Sequence, residues 1–186
     1  TTVERDLTKP LELDRTFDLA VCLEVAEHLP EEAAEQLVRS LCELAPMVLF
    51  SGAFPGQGGT HHVNEQPPSW WANRFAACGR VPFDLVRPAV WDESEVTHWY
   101  AQNTLLFVPD DHRLAQSRPQ FLDVVHPKSY RVALNRLTSV RDVADVLPRS
   151  LVRRTIARMR PETFREPSSG LAGKGADSTS QRGQQR

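Results

Sequence analysis

The hydrophobic positions of this chain fall into short runs separated by polar breaks that are often marked by proline or glycine. Residues 17–22 (FDLAVC) form an apolar run bounded by Asp14-Arg15 and by Glu24, the pattern of a buried strand. Pro30 follows at a position that a helix's first turn tolerates, and Glu31 and Glu32 suit the positive start of a helix. Ala34, Leu37, Val38, Leu41 and Leu44 recur at three- and four-residue spacing and predict one apolar helical face ending before Pro46. Residues 47–50 (MVLF) read as a second buried strand, closed by Ser51-Gly52. Strand, helix and strand together have the length of a right-handed βαβ unit with parallel strands, about 35 residues.

Residues 55–66 (PGQGGTHHVNEQ) are too polar and too broken for regular structure. Pro67-Pro68-Ser69 opens a helix carrying Trp70, Trp71, Phe75 and Ala76, with Gly79 as its left-handed terminator. Residues 83–91 read as a strand interrupted by Pro88. Residues 92–101 read as one short helix capped by Asp92 with Glu95 three positions on, and residues 103–108 (NTLLFV) as another strand. The fold class expected is α/β, with parallel strands and an antiparallel strand at the edge. Residues 140–159 have helical spacing with many Arg. From 168 to 186 Gly, Ser and Gln dominate, which predicts disorder because little surface is available to offset ordering entropy.

Composition refines this picture. The 186 residues are 40% hydrophobic and 25% charged, which suits one folded domain with a tail. The longest apolar stretch, residues 44–50, is far short of the roughly 20 residues of a membrane-spanning helix. Three cysteines without a C-x-x-C pair argue against a disulfide framework and a structural zinc site, so a reducing, cytoplasmic setting is expected. Charge is divided unevenly: residues 1–125 carry a net −10 and residues 126–186 a net +8. The basic end reads either as a solvated helix with a disordered tail or as a surface for nucleic acid, since clustered Arg attracts phosphate.

In open parallel sheets ligands sit beyond the carboxyl ends of strands. Asp6, Leu23, Glu24 and His28 take such positions if one strand ends at Val3 and another at Cys22, and a carboxylate there can accept bonds from an adenine amino group or ribose hydroxyls. Equally open is a purely structural role, with Asp6 capping a turn and Glu24 and Glu27 capping the next helix. His61 and His62 are the acid–base candidates, because imidazole titrates nearest neutrality. Their side chains diverge, so only one should face a site. No metal site is expected, as no carboxylate or cysteine sits at helpful spacing from them. Asn64, Glu65 and Gln66 can orient a polar substrate. Trp70, Trp71, Trp99 and Tyr100 are candidates either for the core or rim or for a ligand platform. Cys22 and Cys42 fall on apolar faces as packing residues.

The stretch FDLAVCLEVAEHLP resembles the fourth-strand motif of class I S-adenosylmethionine-dependent methyltransferases, F-D-(apolar)3-x-E-V-x-E-H-(apolar). Asp6-Leu7 resembles the acidic-apolar pair after that family's third strand, and GTHHVNEQPPSWW with WYAQN resembles the segment after its fifth strand in a bacterial subgroup acting on small molecules. The likeness covers about residues 1–108. It implies a partial Rossmann-like sheet of parallel strands with an antiparallel last strand. It also implies S-adenosyl-L-methionine as cofactor, held by Asp6, Leu7, Leu23, Glu24 and His28, and a small-molecule methyl acceptor near His61, His62, Asn64, Glu65, Trp70 and Tyr100.

The family's G-x-G-x-G loop is missing. PGQGG at 55–59 follows the wrong strand and opens no helix. The chain therefore reads as the later part of a longer enzyme, two βαβ units short before Thr1, and as a weak binder of the cofactor alone. The domains expected are a partial methyltransferase domain at 1–109, a basic, partly helical extension at 110–167 and a disordered tail at 168–186. Two alternatives stand beside this: a non-catalytic interaction module acting through the basic tail, and a hydrolase using Glu24 and a loop histidine. The latter lacks the G-x-S-x-G turn such an enzyme should offer.

Overall fold

A computed structural model describes residues 2–138. The chain divides into two compact units, Thr1–Val143 and Ala144–Arg186. Residues 139–186, on which the helix expected at 140–159 and the disorder expected at 168–186 fall, lie outside the described residues.

The first unit is an α/β fold on an open four-stranded mixed sheet in the order β1-β2-β4-β3. Strand β1 (Leu19–Leu23) runs parallel to β2 (Met47–Ser51), with Leu19 opposite Met47 and Leu23 opposite Ser51. Helix α1 (Ala34–Leu44) connects them, entered through a tight turn at Glu31–Ala33. Helix α2 (Pro68–Ala77) follows the long loop and leads to β3 (Arg80–Phe83). Two short helices, α3 (Arg87–Val90) and α4 (His98–Asn103), precede β4 (Leu105–Pro109), and α5 (Pro127–Thr138) ends the described chain.

The apolar stripe of α1 buries Leu37, Val38 and Leu41 against Phe50 of β2 and against Trp71 and Phe75 of α2. Phe75 stacks on Phe107 with ring centroids 3.8 Å apart, and Phe50 meets both rings and Trp71 edge-on or tilted. On the opposite face Leu106 and Val108 of β4 pack with Val81 and Ala115. Strand β4 is covered on both faces, which explains why LLFV reads as a continuous apolar run rather than an alternating one. The outer strand β1 leaves Leu19 and Val21 exposed.

Several expectations need correction. No strand ends at Val3; residues 2–6 have no regular structure. The antiparallel strand is not at the edge: β4 lies between β2 and β3, antiparallel to both. Residues 83–91 are not one strand. The Asp84 carboxylate takes three hydrogen bonds from the Arg87 guanidinium at 2.7–3.0 Å, which folds the chain back after Phe83. Pro88 then stands in the first turn of α3, where a missing N–H costs nothing.

The helix expected over 92–101 begins only at His98. Residues 92–97 form turns instead, the Glu93 N–H closing on the Val90 carbonyl, and the Trp91 carbonyl just before them accepts the Nε2–H of His126 at 2.8 Å. Residues 110–126 lie against the sheet unit, tied by Arg87 to the carbonyls of Phe121 and Leu122 and by Asp123 to Ser69.

Candidate functional site

The carboxyl ends of β1 and β2 meet in a dense polar cluster. Glu24, the first residue beyond β1, has a left-handed backbone (φ 52°), and its N–H is held by both the carbonyl and the hydroxyl of Ser51 at 3.1 and 3.0 Å. A non-glycine residue in that region carries strain, and such strain concentrates at functional positions. The Glu24 carboxylate accepts from Gln57 Nε2 at 2.8 Å and from Asn103 Nδ2 at 3.4 Å, and Asn103 also donates to Gln57 Oε1 at 2.8 Å. The chain of bonds continues from Gln102 Nε2 to Asn103 Oδ1, and from the His126 N–H to Gln102 Oε1. Gln102 and Asn103 fall within the WYAQN segment, but neither they nor Gln57 stand out as site residues in the sequence.

Three residues further on, the turn at Ala26–His28 places Glu27 inside the protein. Its side chain is fully buried, and neither carboxylate oxygen has a hydrogen-bond partner. Burial, reinforced by the charge of Glu24, pushes its carboxyl above the usual carboxylate range. The Glu27 carbonyl accepts the N–H groups of Val63 and Asn64, so the polar loop is laced back over this point from 36 residues away.

That lacing brings in His62. His62 Nε2 lies 3.9 Å from Glu27 Oε1, and Nδ1 lies 2.9 Å from Glu65 Oε1. Glu65 in turn accepts the N–H groups of Gly56 and Gly58 at 2.8 and 2.7 Å. The His28 ring meets the His62 ring edge-on at 4.9 Å, and His28 Nδ1 sits 3.3 Å from the His61 carbonyl. A Cβ at Gly59 would overlap the His62 ring, so the loop needs glycine there. As the divergence of neighbouring side chains requires, one histidine of the pair points inward: His62 is nearly buried, while His61, with φ 60°, is exposed.

The other sequence candidates distribute as follows. Leu23 ends β1 beside this cluster, and Asn64 is buried next to it with its Oδ1 accepting from Gln66. Leu7 lines a cleft of about 340 Å³ along β1 together with Phe17, Val21, Val25 and Leu41. Asp6 is exposed and closes a turn, accepting from the Thr8 N–H and hydroxyl and pairing with Lys9, contacts that hold its carboxyl down at about 2. Trp70 packs on Trp71 under the Arg74 guanidinium, and Tyr100 is exposed beside Trp99. No hydrogen bond or ring contact among the described residues joins Asp6, Trp70 or Tyr100 to the Glu24–His62 cluster. The expectation that no carboxylate sits at metal-binding spacing from the loop histidines does not hold in the fold, which brings Glu27 from a distant turn to His62, while the Glu65 already visible three residues on bonds its Nδ1.

Comparison with protein-family models, with curated proteins and with solved structures finds no match to this chain.

Proposed function

We propose that this chain contributes the acceptor side and one wall of the cofactor site of an S-adenosylmethionine-dependent methyltransferase acting on a small molecule. The observation that carries this reading is Glu24. It is a strained carboxylate just beyond the end of a parallel strand, fixed by Ser51, Gln57 and Asn103, where an open α/β sheet binds its ligands. The cleft along β1, which reaches Val25 next in sequence to Glu24, adds an apolar wall from Leu7 and Val25 suited to an adenine ring, and its volume falls at the lower end of the range for small-molecule sites. Strand β1 lies at the edge of the sheet, and Leu19 and Val21, exposed on one of its faces, are what a further layer of a larger α/β domain would cover.

In such an enzyme the sulfonium supplies the reactivity, and the protein aligns the acceptor with the methyl carbon. On this reading His61 takes a proton from the acceptor, which its exposure on a left-handed turn supports, whereas His62 is held between Glu27 and Glu65.

The sequence has no G-x-G-x-G loop for the methionine and ribose end, so the chain should bind the cofactor weakly. An NMR titration with S-adenosylhomocysteine tests this. Amide shifts should appear at Leu7, Leu23 and Glu24 with a millimolar Kd, about −4 kcal/mol, and Leu7→Asp should abolish them. Absence of any shift at these amides up to several millimolar, or shifts confined to other parts of the sheet, would sink the proposal.

A further inference from the structure

We propose that Glu27, His28 and His62 form a binding site for one divalent first-row transition-metal ion, held through a carboxylate oxygen and two imidazole nitrogens. The inference stands independently of the methyl-transfer reading.

The three side chains each offer a donor atom, and these atoms lie within 4.8 Å of one another. Bonds of about 2.0–2.2 Å to a common ion bring donors closer together than this, so loading requires only a small closure of side chains. Proximity alone would mean little, but Glu27 gives an independent reason. A carboxylate taken wholly out of water should be paired, coordinated to a metal or hydrogen-bonded. Both oxygens of Glu27 lack a hydrogen-bond partner, and its nearest cationic candidate, His62, is 3.9 Å away. A cation between the carboxylate and the two imidazoles supplies the missing partner.

The hydrogen bonds on the far sides of the rings complete the case. A carboxylate oxygen can only accept from His62 Nδ1 if that nitrogen carries the proton, and the same holds for the His61 carbonyl facing His28 Nδ1. Both rings are thereby set in the tautomer whose Nε2 has a free lone pair. Metal-binding histidines are oriented in this way by a carboxylate or a backbone carbonyl behind them. Glu65 is itself fixed by the Gly56 and Gly58 amides, so the support extends one layer further. Two imidazoles with one carboxylate suit zinc, cobalt or iron in the divalent state rather than an all-oxygen cation, and three protein ligands leave positions open for water or a ligand oxygen.

Chelator-treated protein titrated with Co2+ provides the test, read by visible d–d absorption and by calorimetry, with Zn2+ as competitor. One equivalent should bind, giving a d–d band that Zn2+ removes. Glu27→Gln and His62→Ala should each weaken binding at least about 100-fold. Glu65→Gln should keep the band and weaken binding about 10–100-fold, as loss of a supporting partner does. His61→Ala should bind like the parent. Circular dichroism of each variant separates lost binding from lost folding, and Glu27→Gln is expected to be the more stable protein. The proposal is overturned if the folded parent shows no saturable band, if folded Glu27→Gln and His62→Ala both bind like the parent, or if His61→Ala loses as much as His62→Ala.

Discussion

Glu27→Gln should make the metal-free protein more stable, although it changes a fully buried residue. The carboxylate has no hydrogen-bond partner for either oxygen, and burial together with Glu24 disfavours its charge. An unsatisfied buried polar group costs about 1–3 kcal/mol, and more when charged. Glutamine keeps the shape and removes the charge, but its amide inherits part of the unsatisfied hydrogen bonding. The net gain should therefore be about 1–2 kcal/mol.

Urea unfolding in the presence of chelator at pH 8, read by tryptophan fluorescence, is the appropriate assay. With an m-value of about 1–3 kcal/mol/M, the gain moves the midpoint up by roughly 0.5–1 M at unchanged slope. Glu31→Gln, an exposed neighbour, should stay within about 0.5 kcal/mol of the parent. A Glu27→Gln midpoint that falls by the equivalent of more than about 1 kcal/mol at the same slope would show that the carboxylate is well partnered, and the reasoning would fail. The opposite effects expected on stability and on metal uptake are the signature of a residue retained for function at a cost to folding.

Other predictions concern the frame around the site. Arg87→Met should cost about 3–5 kcal/mol in the same unfolding assay, because it strands Asp84 and the carbonyls of Phe121 and Leu122; a loss below about 1 kcal/mol would mean the clamp is dispensable. Gly79→Ala should cost about 1 kcal/mol through backbone strain alone, since φ is 67° and no atom crowds the added Cβ. Burial pushes the Cys22 thiol up to about 12, so the folded state holds its proton longer than the unfolded chain. That contribution to stability is complete below the thiol's ordinary value of 9.0 and is lost as pH rises from there toward 12. Cys22→Ala should flatten this alkaline decline in a pH series of unfolding midpoints, and an unchanged slope would refute the assignment. At pH 8 under native conditions Cys22 and Cys42 should resist thiol reagents, because both thiols are held near 12; mass spectrometry after timed alkylation reads this, and labelling as fast as in denaturant would contradict it.

The parts of the fold that can be read from the sequence are those whose causes are local. The apolar spacing of Leu37, Val38 and Leu41 makes α1, the runs at FDLAVC and MVLF make the two parallel strands, and Gly79 closes the α2 region with the positive φ expected of it. The reading fails where a distant partner decides. Residues 83–91 look like a strand until Arg87 is seen forking onto Asp84 and reaching across to Phe121 and Leu122. Likewise, the turns that replace a helix after Trp91 are pinned by His126, 35 residues away, which donates to the Trp91 carbonyl. A window short enough to show periodicity contains Asp84 and Arg87 but not Phe121, Leu122 or His126, the partners that fix where the chain goes next.

The candidate site divides along the same line. Glu24 and His28 stand out as residues just beyond a strand end, and the HH pair stands out as chemistry in a polar loop. Glu27 lies between the first two and reads as one more acidic residue near a helix start. Its role depends on the loop returning, with the amides of Val63 and Asn64 on its carbonyl. Which histidine faces inward is set by the same return. The left-handed turn at His61 sends that side chain to solvent and aims the next one at Glu27, and only a glycine at 59 leaves room for the ring that arrives there. A pair of adjacent histidines is symmetric as text. The backbone that carries them is not, and it is the backbone that turns one imidazole toward Glu27 and leaves the other exposed to solvent.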